Sequence, residues 1–153
     1  MIVRILDIPP TERSYRFSIE PERMNGAFEG RTDIECTGEG LARLTLLRIE
    51  STINVSGKIT VPATFACSRC TEEYDIDLTV PVRMVLSRSR DHRREDEEIG
   101  HGYFEGDEID LAERCIETVA LNLPERLFCD PQCKGLCYIC GANLNETECG
   151  CKR

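Results

Sequence analysis

The chain has no tryptophan, and aromatic residues make up only 6% of its 153 positions. A core built from it must be mostly aliphatic. Histidine is almost missing: His92 and His101 are the two. Both sit in one charged, glycine-containing stretch and read as solvated loop residues, so a histidine-ligated catalytic metal has little to draw on. No apolar run approaches the roughly 20 residues needed to cross a bilayer. Met1 to Asp7 is too short, and too charged within its apolar part, to read as a secretory signal. There is no G-x-S-x-G elbow, phosphate-binding loop or dinucleotide fingerprint, and no two carboxylates are paired at a defined spacing. No catalytic residue is expected, and the expected location is the cytoplasm.

Cysteine is abundant, at ten residues. In a reducing compartment such a count points to metal ligands and free thiols; a disulfide framework remains the alternative. Six of the ten fall between Cys129 and Cys151. Eight form close pairs: Cys67/Cys70, Cys129/Cys133, Cys137/Cys140 and Cys149/Cys151. Thiolates two to four residues apart are typical ligands of tetrahedral zinc. The expected cofactor is Zn2+, with two structural ions. In the pairing favoured here, Cys137, Cys140, Cys149 and Cys151 close one site. Cys67 and Cys70 join Cys129 and Cys133 across the fold in the other. Such bracing is worth up to roughly 10–16 kcal/mol if it behaves like zinc-finger peptides. Open alternatives are a single zinc with leftover thiols, a different division of the pairs, or an iron–sulfur cluster. Cys36 reads as a free thiol and Cys115 as a small buried hydrophobe.

The net charge is −9 and the pI about 4.8. Two four-thiolate zinc sites would take the charge to about −13. That opposes general binding to nucleic acid and favours a basic protein partner, or RNA held at a local basic patch. Arg83, Arg88, Arg90, Arg93 and Arg94 are the candidate RNA contacts.

Hydrophobic periodicity predicts an α+β fold: a mostly antiparallel sheet with a C-terminal helix and a small cysteine-rich zinc-binding tail. Ile2 to Leu6, Tyr15 to Ile19 and Leu41 to Ile49 read as strands. Ile53, Val55, Ile59, Val61, Ala63 and Phe65 alternate with polar residues, as do Tyr74, Ile76, Leu78, Val80, Val82, Met84 and Leu86. Both runs match strands with one buried face, joined as a hairpin by Cys67-Ser68-Arg69-Cys70. Gly57 takes an inward position in the first run. Pro62 and Pro81 predict edge placement or bulges. Pro21 to Gly40 reads as loop and 87–106 as a mobile charged loop. A helix is predicted over 110–123, with Asp110 as N-cap, Glu113 completing a capping box, and Pro124 ending it. The expected division is a mainly β domain over 1–124 and the cysteine tail over 125–153.

Three parts of the chain resemble the YceD-like family, named for large ribosomal RNA subunit accumulation. They are the hairpin ending in Cys67-Ser68-Arg69-Cys70, the helix from Ile109-Asp110-Leu111 to Leu123-Pro124, and the motif Cys133-Lys134-Gly135-Leu136-Cys137-Tyr138-Ile139-Cys140-Gly141-Ala142-Asn143-Leu144-Asn145 closing with Cys149-Gly150-Cys151. The resemblance covers roughly residues 40 to 151; Tyr138 stands where the family commonly has proline. It implies a bacterial, cytoplasmic, non-enzymatic accessory factor in ribosome biogenesis. Its partners would be ribosome assembly intermediates, through a ribosomal protein or large-subunit rRNA, with no membrane and no small-molecule substrate. The alternative function is a zinc-ribbon-like protein–protein module in transcription or regulation.

Overall fold

A computed structural model describes residues 1–26, 28, 30–88 and 100–151. The fold is α+β: a mostly antiparallel sheet, a C-terminal helix and a cysteine cluster at the end of the chain. The short strand β1 (Ile2–Arg4) leads into a 3-10 turn. Then come β2 (Arg13–Ile19), helix α1 (Pro21–Gly26), β3 (Ile34–Cys36), β4 (Gly40–Ile49), β5 (Thr52–Ala66) and β6 (Glu73–Arg88). The order closes with β7 (His101–Phe104), β8 (Glu108–Asp110) and helix α2 (Leu111–Leu121).

The main sheet runs β2-β4-β5-β6-β7, with β3 added beside β5. Its centre is the β5–β6 hairpin, paired from Thr52↔Ser87 to Ala66↔Glu73. The alternation read from the sequence holds along it: Ile53, Val55, Ile59, Val61, Ala63 and Phe65 are buried, and so are Val80, Val82 and Leu86 on β6. This inward face shares one core with Met24 of α1 and with Leu111, Ala112, Cys115 and Val119 of α2. The other face of the sheet is mostly polar, with Leu41, Leu47 and Ile49 of β4 among its apolar exceptions, as is common where an antiparallel sheet packs on one side.

Helix α2 starts where its N-cap does. The Asp110 carboxylate accepts from the N–H groups of Ala112 (2.9 Å) and Glu113 (3.4 Å). The predicted capping box is not what occupies Glu113, whose carboxylate takes Arg23 at 3.2 Å. Three other expectations need correction. The stretch 21–40 is not all loop: it holds α1, which buries Met24 completely, and β3, paired with β5. The segment 87–106 carries structure at both ends. Ser87 and Arg88 finish β6, and His101–Phe104 forms a strand parallel to it. Pro62 lies on neither an edge strand nor a bulge. It falls where β5 changes neighbour, β4 covering it up to Thr60 and β3 from Ala63, so no partner asks for its missing N–H. Pro81 does lie on an open flank, since β7 covers β6 only over Val85–Arg88.

Gly57 shows why a strand centre tolerates glycine. Its φ is +150°, and a Cβ there would stand 2.1 Å from the Arg43 carbonyl oxygen. Backbone meets backbone where an inward side chain was expected.

Candidate metal centre

The hairpin delivers Cys67 and Cys70 to the tip of the sheet, and the chain after α2 returns to meet them. Two groups of four cysteines result: Cys67, Cys70, Cys129 and Cys133, and Cys137, Cys140, Cys149 and Cys151. Within each group the sulfurs all lie within 4.8 Å of one another. These are the same two foursomes as in the favoured pairing. All ten cysteines are free thiols.

The sulfur spacing can be compared with a metal cage. Four thiolates at about 2.3 Å from a tetrahedral zinc ion have S···S edges of about 3.8 Å. Cys67 Sγ is 3.8 Å from Cys133 Sγ, Cys70 Sγ is 3.7 Å from Cys129 Sγ, and Cys149 Sγ is 3.3 Å from Cys137 Sγ. The residues present fit a four-coordinate metal.

Both C-x-x-C turns have one backbone design. In the first, Cys67 N–H donates to the Glu72 carbonyl (2.8 Å) and Thr71 N–H to the Cys67 carbonyl (2.9 Å). In the second, Cys137 N–H donates to Ala142 (2.8 Å) and Gly141 N–H to Cys137 (2.8 Å). The residue after the second cysteine is left-handed in each, Thr71 at φ 62° and Gly141 at φ 74°. This turn aims amide N–H groups at the first sulfur: Arg69 N–H donates to Cys67 Sγ at 3.4 Å, and Cys129 N–H reaches the same sulfur at 3.4 Å.

The electrostatics call for a cation. Burial would push the Cys67 thiol up, but the N–H groups of Cys129, Cys70 and Arg69 bring it down to about 6. The N–H groups of Cys140 and Ile139 bring Cys137 down to about 6 as well. Their neighbours go the other way. Burial, then Cys70 and Cys133, push Cys129 up to about 12. Cys140, then burial, pushes Cys151 up to about 12. One thiolate per cage forms readily and then opposes the rest, since like charges this close cannot all ionise alone. A divalent metal removes that conflict.

Residues outside the cysteines join the tail to the sheet. Arg69, inside the first C-x-x-C, donates to the carbonyls of Pro131 (3.2 Å) and Cys133 (3.0 Å) and lies 4.1 Å over the Phe128 ring. Leu136 N–H returns a bond to the Arg69 carbonyl, 3.1 Å. Asn145, in the stretch between Cys140 and Cys149, reaches the other cage: its Nδ2 donates to Cys133 Sγ (3.3 Å), and its Oδ1 accepts from Lys134 N–H (2.7 Å). Sequence reasoning singled out neither residue for this work. The available signal was position alone, Arg69 between two ligands and Asn145 at the end of the cysteine motif.

The remaining cysteines lie apart from both cages. Cys36 is buried in β3, its Sγ 3.1 Å from the Gly38 carbonyl. Cys115 is fully buried in α2, and burial pushes its thiol up to about 12. Of the candidate RNA contacts, Arg83 is exposed on β6. The Arg88 guanidinium is held by Asp107 at 2.6 Å and by the Gly106 carbonyl at 3.2 Å. Arg90, Arg93 and Arg94, like His92, lie outside the described residues. No helix among the described residues is long and apolar enough to cross a membrane.

Comparison with known proteins covers the same part of the chain. The family described as large ribosomal RNA subunit accumulation protein YceD matches residues 55–153. A protein of Arabidopsis thaliana, the large ribosomal RNA subunit accumulation protein YCED homolog 1, chloroplastic, is 44% identical over 46 residues, 30% of this chain and 14% of that one. The Zea mays protein of the same name is 46% identical over 46 residues, 29% of this chain and 16% of that one. An uncharacterized protein of Mycobacterium tuberculosis is 32% identical over 104 residues, 64% of this chain and 49% of that one. The chain therefore spans about half the mycobacterial relative and less than a fifth of the plant proteins. No solved structure matches it.

Proposed function

The chain belongs to the YceD family, large ribosomal RNA subunit accumulation proteins, and on that ground we propose that it supports large-subunit rRNA accumulation as a non-enzymatic accessory factor braced by two zinc ions. One observation carries the reading: the matched span, 55–153, contains all but the first three residues of the hairpin, with α2 and both cysteine cages. The relatives in Arabidopsis and maize bear that activity in their names.

Zinc suits the donor set. All-cysteine tetrahedral cages with N–H···S bonds around them are the pattern of structural zinc, and a full set of four thiolates uses every position that a catalytic zinc keeps open. The ions would supply bracing. The hairpin cage, Cys67, Cys70, Cys129 and Cys133, would lock the tail to the sheet; the tail cage, Cys137, Cys140, Cys149 and Cys151, would hold the last turns in shape. On this reading the protein acts in the bacterial cytoplasm, on ribosome assembly intermediates, with large-subunit rRNA or a ribosomal protein as direct partner.

Sedimentation tests the role. In a sucrose gradient of cell lysate the protein is expected to travel with immature large-subunit particles, and its depletion to lower large-subunit relative to small-subunit rRNA. Wholly free protein together with an unchanged rRNA ratio would count against it. Elemental analysis tests the metal: two zinc ions per chain are expected, and iron would overturn the assignment.

A further inference from the structure

The net charge of −9 hides a strongly basic row. In the sheet register Arg16 of β2 faces Arg43 of β4, and Arg43 faces Lys58 of β5. Residues directly opposite on neighbouring strands share a face, so the three cations line up across adjacent strands, about 10 Å from the first backbone to the third. Arg83 adds a fourth cation on β6, one row over: it lies opposite Ser56 and therefore on the same face. All four side chains are exposed. None of them forms an ion pair among the described residues.

Like charges directly opposite each other destabilise a sheet. Here two such pairs occur in succession, with no acid between them to offset the repulsion. On β2, β4 and β5 the rows beside them are hydroxylated except at Leu41. Ser14, Thr45 and Ser56 align on one side. Thr60 and Thr79 face each other on the other side, with oxygens 3.3 Å apart. The outward positions of these four strands carry no aromatic ring on which a base could stack. Acidic residues gather farther along, towards the hairpin tip: Asp75, Asp77 and, on β3, Glu35.

We propose that the outward face of the sheet, along Arg16, Arg43, Lys58 and Arg83, docks the sugar–phosphate backbone of RNA without reading its bases. Guanidinium and ammonium groups flanked by hydroxyls are the donors that phosphate and sugar oxygens take. Without rings, splayed bases have nothing to stack on at this face. The acidic end repels phosphate and so fixes which part of the face the backbone lies on. This inference rests on the RNA-linked role proposed above and names a surface for it.

The test uses the metal-loaded full chain and a short fluorescent RNA hairpin of arbitrary sequence. With four phosphate contacts the logarithmic salt slope is about −3 to −4, so affinity should fall about 100-fold between 50 and 200 mM salt. The combined variant Arg16→Gln, Arg43→Gln, Lys58→Gln should bind at least 50-fold more weakly at the lower salt, with a slope near −1. Replacing only the two arginines, as Arg16→Lys and Arg43→Lys, should keep the slope. Wild-type protein that binds no RNA at about 50 mM salt, or a combined variant within twofold of wild type, overturns the proposal. Gradients of cells carrying the combined variant separate the two readings. If it still travels with large-subunit particles as the wild type does, the surface is wrong and the family role stands. If it leaves the particles although wild type binds no RNA, the row serves an acidic protein and the RNA proposal falls.

Discussion

Single residues set the sharpest limits on this fold. Gly57 is one. Any side chain there drives a carbon into the Arg43 carbonyl, and that oxygen belongs to β4 backbone, which cannot swing aside as a side chain can. Gly57→Ala should cost about 2–4 kcal/mol, read from a lowered urea midpoint at unchanged slope. Asp33 is another. Its carboxylate takes both arms of Arg31 at 2.7 Å, and Arg31 also holds the Pro124 carbonyl at 3.2 Å, tying the segment before β3 to the exit of α2. The hydrogen bonds from Arg31 keep Asp33 below the usual carboxylate range, against a smaller opposing effect of burial. A lowered folded pKa stabilises above the unfolded value, about 3.9, and that contribution disappears as pH falls through the folded one. The melting-temperature gap between wild type and Asp33→Asn should therefore be constant above about pH 5 and close in stronger acid. A gap that widens on acidification would contradict the assignment.

At the scale of elements, legibility tracked length and local pattern. The long strands β5 and β6 and the helix α2 announce themselves, because a dozen residues of period two or 3.6 leave few other readings. Asp110 is legible for a local reason too, a carboxylate one residue ahead of an apolar stripe. Asp110→Ala should cost about 1 kcal/mol and loosen the first turn of α2, measurable as faster amide exchange there. Short elements carry no such signal. Helix α1 buries one side chain, Met24, and β3 is only three residues long, so both look like loop until β5 and the core are there to receive them. Strand β7 owes its existence to a parallel partner, a non-local cause. The basic row is the clearest case. Arg16, Arg43 and Lys58 are far apart in sequence and meet only through register, so total charge pointed away from nucleic acid while one face of the sheet points towards it.

At the scale of the whole molecule the two cages differ in what they join. The hairpin cage links sulfurs 66 residues apart, Cys67 to Cys133; the tail cage links sulfurs 12 apart, Cys137 to Cys149. Cross-links that close long loops restrict the unfolded chain more. Cys70→Ala should therefore lower the melting temperature more than Cys140→Ala, with each variant losing metal in elemental analysis; equal losses of stability would mean that loop length does not set what each cage contributes. The cysteine sets were legible because ligand pairs are local, even where the cage is not. Their second layer, Arg69 and Asn145, was not, since its role depends on where the tail lands.

The hairpin is also a ruler. Lys58 and Cys67 lie on one extended run of chain, β5 and its end, nine residues apart. At about 3.4 Å per residue that sets the cationic row about 30 Å from the cysteine tip. Strand and cage fix this interval rigidly, so a partner touching both ends must carry its own two features at the same spacing. Lengthening or shortening β5 by a residue pair would throw the two contacts out of step.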